Sequence, residues 1–383
     1  MSDEGLLRLL RQRGTASKGQ LATALRTSRS AVTERLDALI GRGVLVSLGT
    51  AASTGGRPAE VFALNPRGGL LLAADIGGSG FRAGLADLAG DIHDDVHERL
   101  DVQNGPDVVL GAVRSRFDEL LARGGHERGD VVGVGISVPG PVEFATGRPI
   151  SPPIMTGWDD HDVPGAFADF DCSVLVDNDV NAMAYGEYLE TYPGSPMLFM
   201  VKAGTGVGGA IVFHGELVRG AQGAAGDVGH TLVSAVDGLV ADGAPRCQCG
   251  NVGCVEAYAG GWAIARDLRA EGYDVHDVED VTALVRSGDP VAIGLTRQAG
   301  RRIGDAIATA VGLVNPDVVV LGGQFAEAET RDQLMAGVRE RVYQRVLPLA
   351  SRTLTIAPSA LAGRAGIVGL TGLLTRTVDA SIV

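Results

Sequence analysis

At 383 residues the chain is too long for one small domain and calls for two or three compact units. Hydrophobic residues at 45% and charged residues at 21% describe a folded globular protein and exclude a disordered one, and no uninterrupted apolar run is long enough to cross a bilayer. A net charge of −13 argues against nucleic acid for the chain as a whole, yet residues 1–66 hold nine Lys/Arg and five Asp/Glu, net +4, which leaves −17 on the rest. A basic head on an acidic body suggests that the head alone meets an anionic polymer, although a +4 segment is common and decides little by itself. The opening stretch, MSDEGLLRLLRQRG, mixes acids and arginines among its leucines and lacks a signal-peptide pattern, so a cytoplasmic protein is expected.

Three helical stretches come first. Leu6, Leu9 and Leu10 give the first an apolar stripe that Gly14 ends. Ser17 with Gln20 three residues on is a capping box for the second. After Arg26-Thr27, Ser28 caps a third helix that buries Val32, Leu36, Leu39 and Ile40. Arg29, Ser30 and Thr33 then point outward near its N-terminus, where a recognition helix presents side chains to base edges. VLVSLG and AEVFALNP read as two strands around a polar loop, a wing whose Gly55-Gly56-Arg57-Pro58 tip offers Arg57 to a minor groove or a phosphate. The alternative is a helical oligomerisation module with a hairpin; the helix–helix–turn–helix–wing order favours operator DNA as partner.

Asn65-Pro66-Arg67-Gly68 reads as a hinge. Beyond it, LLLAADIGGSGFRAGLADLAGDI suggests a hairpin with Asp75 at the end of its first strand, ahead of Gly77-Gly78. No helix follows these glycines, so they are not a dinucleotide fingerprint. A phosphate-approaching turn with Asp75 placed for a hydrated Mg²⁺ is the functional alternative to a plain tight turn. LFMVKAGTGVGGAIVFHG repeats the form with Gly204, Thr205 and Gly206 at its turn, and PDVVVLGG ends a third strand at Gly322-Gly323. Three such strands suggest two similar lobes clamping a nucleotide-sized anion.

VLVDNDVNAMAYGEY places Asn178, Asp179 and Asn181 just after a strand and leading into a helix. A carboxylate flanked by carboxamides suits vicinal hydroxyls, and Asp179 against a primary hydroxyl would serve as general base for phosphoryl transfer. Helix capping explains any one of the three but not all. Further on, Cys247, Cys249 and Cys254 form a C-x-C-x4-C triplet with His230 as a fourth ligand, a Cys₃His set suited to structural Zn²⁺. A free-thiol turn is the alternative. Asp227 and Glu256 bracket this site, so ordering the metal loop would order both carboxylates. Cys172 stands apart, as a small buried hydrophobe.

With these motifs in view, residues 69–383 resemble the ROK family of bacterial repressors and sugar kinases, and the N-terminal winged helix-turn-helix resembles its regulator branch. The resemblance implies an α/β, two-lobed, actin-like fold of the ribonuclease-H-like sugar kinase type behind an α+β head. The expected divisions are a DNA-binding domain at 1–66, a first lobe at 67–185 plus 363–383, and a second lobe with the zinc motif at 186–362. It further implies phosphate loops at Asp75, Gly77, Gly78 and at Gly204, Thr205, Gly206, with Gly322 and Gly323 adding to a nucleotide site. Asn178, Asp179, Asp227, His230 and Glu256 would hold a sugar, with Asp179 the catalytic base if the chain is a kinase. His230, Cys247, Cys249 and Cys254 would hold zinc, His230 bridging metal and sugar.

Three departures from the kinase pattern stand out. Asp227 replaces a Glu, Ser79-Gly80 replaces Thr-Lys, and Ile154-Met155 replaces Asn-Leu ahead of Thr156-Gly157-Trp158. They favour a sugar-responsive regulator, a homodimer or homotetramer on a palindromic or pseudo-palindromic operator, with a sugar or sugar phosphate as effector. The alternative is an active hexose kinase using Mg-ATP that also binds DNA.

Overall fold

The structure is a computed structural model that describes residues 3–50, 59–233, 243–326 and 328–382. In the head, α1 (Asp3–Arg13), α2 (Lys18–Ala24) and α3 (Arg29–Gly41) enclose Leu6, Leu10, Leu21, Val32, Leu36 and Leu39, all at most 1% exposed. Ser17 and Gln20 form the expected capping box, and the Ser28 hydroxyl accepts from the Ala31 amide at 3.2 Å. Two wing strands, β2 (Leu45–Thr50) and β3 (Glu60–Leu64), pair antiparallel, and a two-residue strand absent from the sequence reading, β1 (Ala16–Ser17), pairs with β3 to complete a three-stranded sheet. The Gly55–Pro58 tip, Arg57 included, lies outside the described residues.

The body is built on two five-stranded sheets. The first comprises β4 (Leu70–Ile76), β5 (Gly80–Asp87), β6 (Ile92–Arg99), β7 (Val131–Val138) and β10 (Ser173–Asn178); a small ribbon of β8 (Val142–Glu143) and β9 (Arg148–Pro149) lies beside it. The second comprises β11 (Met197–Ala203), β12 (Val207–Phe213), β13 (Glu216–Leu217), β14 (Val318–Gly322) and β15 (Thr355–Pro358). Each sheet has the spatial order third–second–first–fourth–fifth. In both, the first three strands form antiparallel hairpins and the last two run parallel to the first. One topology occurring twice is the duplication that the repeated glycine-tipped hairpins predicted.

Both faces of the first sheet are covered, which is why β4 reads as an apolar run rather than an alternation. Helix α4 (Pro106–Gly124) closes one face around Phe117 and Trp158, whose indole N–H donates to the Val102 carbonyl at 3.0 Å. Helices α5 (Asp179–Glu190) and α12 (Ala365–Ile382) close the other, and α5 also packs on β11 and β12 of the second sheet. The boundary expected at 185/186 therefore falls inside a helix shared by both sheets. Glycines allow this pair to touch backbone to backbone: a side-chain carbon on Gly369 would lie 1.7 Å from the Ala182 carbonyl oxygen. The outer face of the second sheet carries α6 (Glu256–Ala259), α7 (Gly261–Ala270), α8 (Val278–Arg286), α9 (Pro290–Val314) and α10 (Ala328–Arg345), with one turn, α11 (Pro348–Ser351), leading into β15.

Head and body are in contact. Helix α1 packs on α12, and the Arg11 guanidinium donates to the carbonyls of Leu88 and Thr375, each at 3.4 Å. Among the described residues no helix is long and apolar enough to cross a membrane.

Candidate sugar-binding and metal site

The ends of β4 and β11 converge on a cavity of about 460 Å³ between the sheets, within the usual range for a small-molecule site. Its walls include the Gly77-Gly78 turn after β4 and the Gly204-Thr205-Gly206 turn between β11 and β12. These turns meet across the cleft, since a side-chain carbon on Gly78 would lie 3.0 Å from the Thr205 hydroxyl. Gly77 and Gly204 spend their own amides within the turns, donating to the Gly80 and Gly206 carbonyls at 2.8 and 2.9 Å. Any anion here would be met by other groups. Gly323, at a φ of +86° that glycine adopts without strain, lines the same cleft after β14.

Asp75 accepts from the Ser137 hydroxyl of β7 at 2.6 Å, and Gly366 of α12 packs so closely that a side-chain carbon there would overlap the carboxylate. Burial pushes the Asp75 carboxyl up from 3.8 to about 6; Asp179 adds to the rise, while Lys202, the Ser137 hydroxyl and Arg82 oppose it. Because the folded-state value lies above the unfolded one, the stability that Asp75 contributes is fully present below about pH 4 and is lost as pH rises through about 6. Urea denaturation of wild type and Asp75→Asn across pH 4–8 should therefore show the wild type losing up to about 3 kcal/mol relative to the variant. A difference independent of pH would show that Asp75 ionises as freely as in water.

Asp179 begins α5 and is nearly enclosed, its side chain 4% exposed, and one of its oxygens is ion-paired with the Lys202 ammonium of β11. Burial works against the charge on Lys202, but Asp179 and Asp75 together hold its pKa above that of an ordinary lysine. Lys202 escaped the sequence reading, although a lone charge inside the apolar strand LFMVKA was a usable signal. Asn178 is the N-cap of α5: its side-chain oxygen accepts from Val180 and Asn181 amides at 2.9 and 3.4 Å, and its amide donates to the Gly140 carbonyl at 3.0 Å. Asn181 turns inward and donates to Asp177 at 2.7 Å. All three line the cavity, and each carboxamide keeps one N–H beyond those spent on Gly140 and Asp177.

His230, Cys247, Cys249 and Cys254 come together with all four ligand atoms within 4.8 Å of one another. Cys247 Sγ lies 3.7 Å from His230 Nδ1, and Cys249 Sγ lies 3.8 Å from Cys254 Sγ. A tetrahedron with Zn–S bonds of about 2.3 Å has edges of about 3.8 Å, so this donor set fits zinc. Backbone bonds zip the two halves of the site together: Val233 N to Gly253 O, Val255 N to Thr231 O and Glu256 N to Gly229 O, each 2.9 Å. Glu256 joins the cysteine loop to the Gly204–Gly206 turn, one oxygen accepting from the Val207 amide at 3.0 Å and the other 3.7 Å from Cys247 Sγ. Asp227 opens to solvent in the cleft, yet the cleft walls strip enough hydration to raise its carboxyl above the ordinary range, with His230 opposing. Asp227, His230 and Glu256 all line the cavity that holds Asp179.

Basic groups missed in the sequence stand opposite. Arg82, His97 and Arg99 line the mouth on the first lobe. Arg99 pairs with Glu279 of α8 on the second lobe, and desolvation together with Arg82 and Arg99 lowers the His97 pKa. Of the departures from the kinase pattern, Ile154 lines the cleft while Met155 is buried beneath it. In the head, Arg29 and Ser30 are exposed on the first turn of α3; Thr33 is half-buried, its hydroxyl donating to the Arg29 carbonyl at 2.9 Å.

A duplicated third–second–first–fourth–fifth sheet around a cleft with two glycine turns and an aspartate at a helix start defines the two-lobed, actin-like sugar kinase fold, here with a three-helix head and a β-wing. The chain belongs to the ROK family, whose profile matches residues 71–377. It is 28% identical to a glucokinase of Halalkalibacterium halodurans, covering 78% of this chain and 92% of that one. It is 24% identical to the xylose repressor of Bacillus spizizenii, covering 96% of this chain and 93% of the repressor. A crystal structure of a ROK family transcriptional regulator, a homologue of the E. coli MLC protein, superposes with a TM-score of 0.80 at 22% identity over 99% of this chain and 97% of that one, a likeness of fold.

Proposed function

We propose that the protein is a sugar-responsive transcriptional regulator, a repressor, that binds a palindromic operator as a dimer through Arg29, Ser30, Thr33 and Arg57. Its effector is a carbohydrate held by Asn178, Asp179, Asp227, His230 and Glu256, with Asn178 also capping α5, and one structural Zn²⁺ per chain orders the cleft. The functional units are the head at 1–66 and two lobes, 67–185 with 363–383 and 186–362, which meet within the shared helix α5. The observation that carries this reading is the head: α3 presents exposed Arg29 and Ser30 at its N-terminus, beside a wing, on a segment of charge +4. Likeness to a xylose repressor that runs over 96% of the chain, against 78% for a glucokinase, supports the same conclusion.

Coupling follows the helices. Asp179 opens α5, α5 lies along α12, and α12 touches α1 of the head, so a ligand that favours one lobe arrangement shifts the seat of the head. Such coupling requires that DNA and sugar prefer different arrangements. The kinase reading keeps one observation in its favour, the placement of Asp179 in a cleft between two glycine turns.

The test selects duplexes with the full chain, then titrates the selected site with a panel of hexoses and hexose phosphates. A palindromic site with a Kd of about 10⁻⁸ M or tighter, changed at least about tenfold by one sugar, is expected. Absence of any selected sequence, or ATP turnover at roughly 1 s⁻¹ or more with a hexose, overturns it.

A further inference from the structure

Strands β4 and β11 are the first strands of two sheets with one topology, each seven residues long and each running into a glycine turn. Their penultimate residues are Asp75 and Lys202. Asp75 pairs in register with Arg82 on its hairpin partner and Ser137 on its parallel neighbour; Lys202 pairs with Gly208 and Gly322 in the same two relations. Equivalent positions of a duplicated fold thus carry opposite charges facing one cleft. Asp179, from the helix that both sheets share, completes the group by its ion pair with Lys202.

Two carboxylates facing one half-buried space repel unless a cation lies between them. In phosphoryl transfer that cation is a divalent metal, which needs about six oxygen ligands, some of them water or phosphate oxygens. Here an ammonium on a tether already holds one oxygen of Asp179 and lies close enough to Asp75 for their charges to act on each other. One oxygen of each carboxylate is already taken, that of Asp179 by Lys202 and that of Asp75 by the Ser137 hydroxyl, and with an ammonium in the cleft the residues present do not fit a bound Mg²⁺.

We infer that Lys202 is a built-in replacement for the divalent cation of this cleft: it offsets the charge of Asp179 and part of that of Asp75, excludes Mg²⁺, and makes ligand recognition independent of metal. Asp179 keeps its other oxygen as a hydrogen-bond acceptor for a sugar hydroxyl, and what is lost is the divalent cation that would gather the charge of a phosphoryl group. Because it concerns the same cleft, the inference rests on the proposed sensing role, and it specifies why sensing replaces transfer.

The test uses the zinc-loaded full chain and Mn²⁺ alone, a spectroscopic probe with the same preference for octahedral oxygen ligands, with no sugar or DNA present. Electron paramagnetic resonance titration should show Lys202→Met binding Mn²⁺ at least tenfold more tightly than wild type. Adding Asp75→Asn to that variant should return the affinity to the wild-type level, and Lys202→Arg, which keeps the cation, should match wild type. Should Lys202→Met fail to give a cooperative thermal transition, Lys202→Gln is read in the same way. Equal affinity of wild type and the neutral variant, whether strong or weak, overturns the inference. A failure of the sugar or operator titrations would instead count against the proposed function, since neither enters this experiment.

Discussion

Replacing Cys254 by Ser is expected to lower the zinc content of the purified chain from about one ion to below about 0.1, as measured by elemental analysis. Cys254 is fully buried and Cys247 nearly so, and with His230 and Cys249 they offer four donors at tetrahedral spacing. Burial pushes the Cys247 and Cys254 thiols above the ordinary thiol range, so only a bound cation would hold them as thiolates in the folded chain. With three donors the tetrahedron is open and affinity collapses. The backbone bonds between 229–233 and 253–256 then lose the ion that fixes them, which loosens Asp227 and Glu256 and weakens carbohydrate binding at a distance. A fall of about 10 °C in the body's unfolding midpoint is expected, as for a loss of about 3–5 kcal/mol in a domain of this size. Cys172→Ser, outside the cluster, should change neither quantity. Zinc retained at full stoichiometry by Cys254→Ser would refute the assignment.

For Arg29→Ala we expect a loss of about 1–3 kcal/mol, or 5–150-fold, on the selected operator and little change on a scrambled duplex. The Ser28 cap fixes the start of α3, so Arg29 stands on its first turn, exposed and able to reach a guanine edge with two parallel hydrogen bonds. Ser30 lies beside it with its hydroxyl 3.0 Å from that of Ser28, and the Thr33 hydroxyl is engaged by the helix backbone. Base contacts specify, whereas phosphate contacts only position. Fluorescence anisotropy on the two duplexes separates these roles: an equal loss on both would make Arg29 a phosphate contact and move sequence reading elsewhere on the head.

Local chemistry was legible in the sequence because its cause lies within a few residues. The Ser17–Gln20 box, the Ser28 cap, the glycine turns after β4 and within the β11–β12 hairpin, and the cysteine triplet each follow from near-neighbour spacing, and all four stand where the spacing put them. The repeated strand–turn–strand form also announced two lobes, since a duplicated topology leaves a duplicated pattern. Near-neighbour spacing allows capping by any residue of the 178–181 trio but does not say which of them caps and which turns inward. The register of β10 against β7 sends the Asn178 amide to Gly140, whereas the turn from β10 into α5 brings the Asn181 amide to Asp177 four residues back. β1 was invisible, because two residues carry no periodicity and exist as a strand only by pairing with β3.

Residue types and spacings determined the class of fold, the His230–Cys247–Cys249–Cys254 cluster and the presence of an aspartate at a helix start. The charge state of the cleft was decided by tertiary structure alone. Lys202 lies 23 residues from Asp179 and still further from Asp75, and no local rule links a lysine in one sheet to carboxylates belonging to the other. Packing brings them together: α5 lies directly on β11 and β12, where Gly208 leaves room for Val180, so an ammonium on β11 reaches the start of α5. Coulomb energy depends on distance through space and on the burial of the pair, and neither quantity is written along the chain.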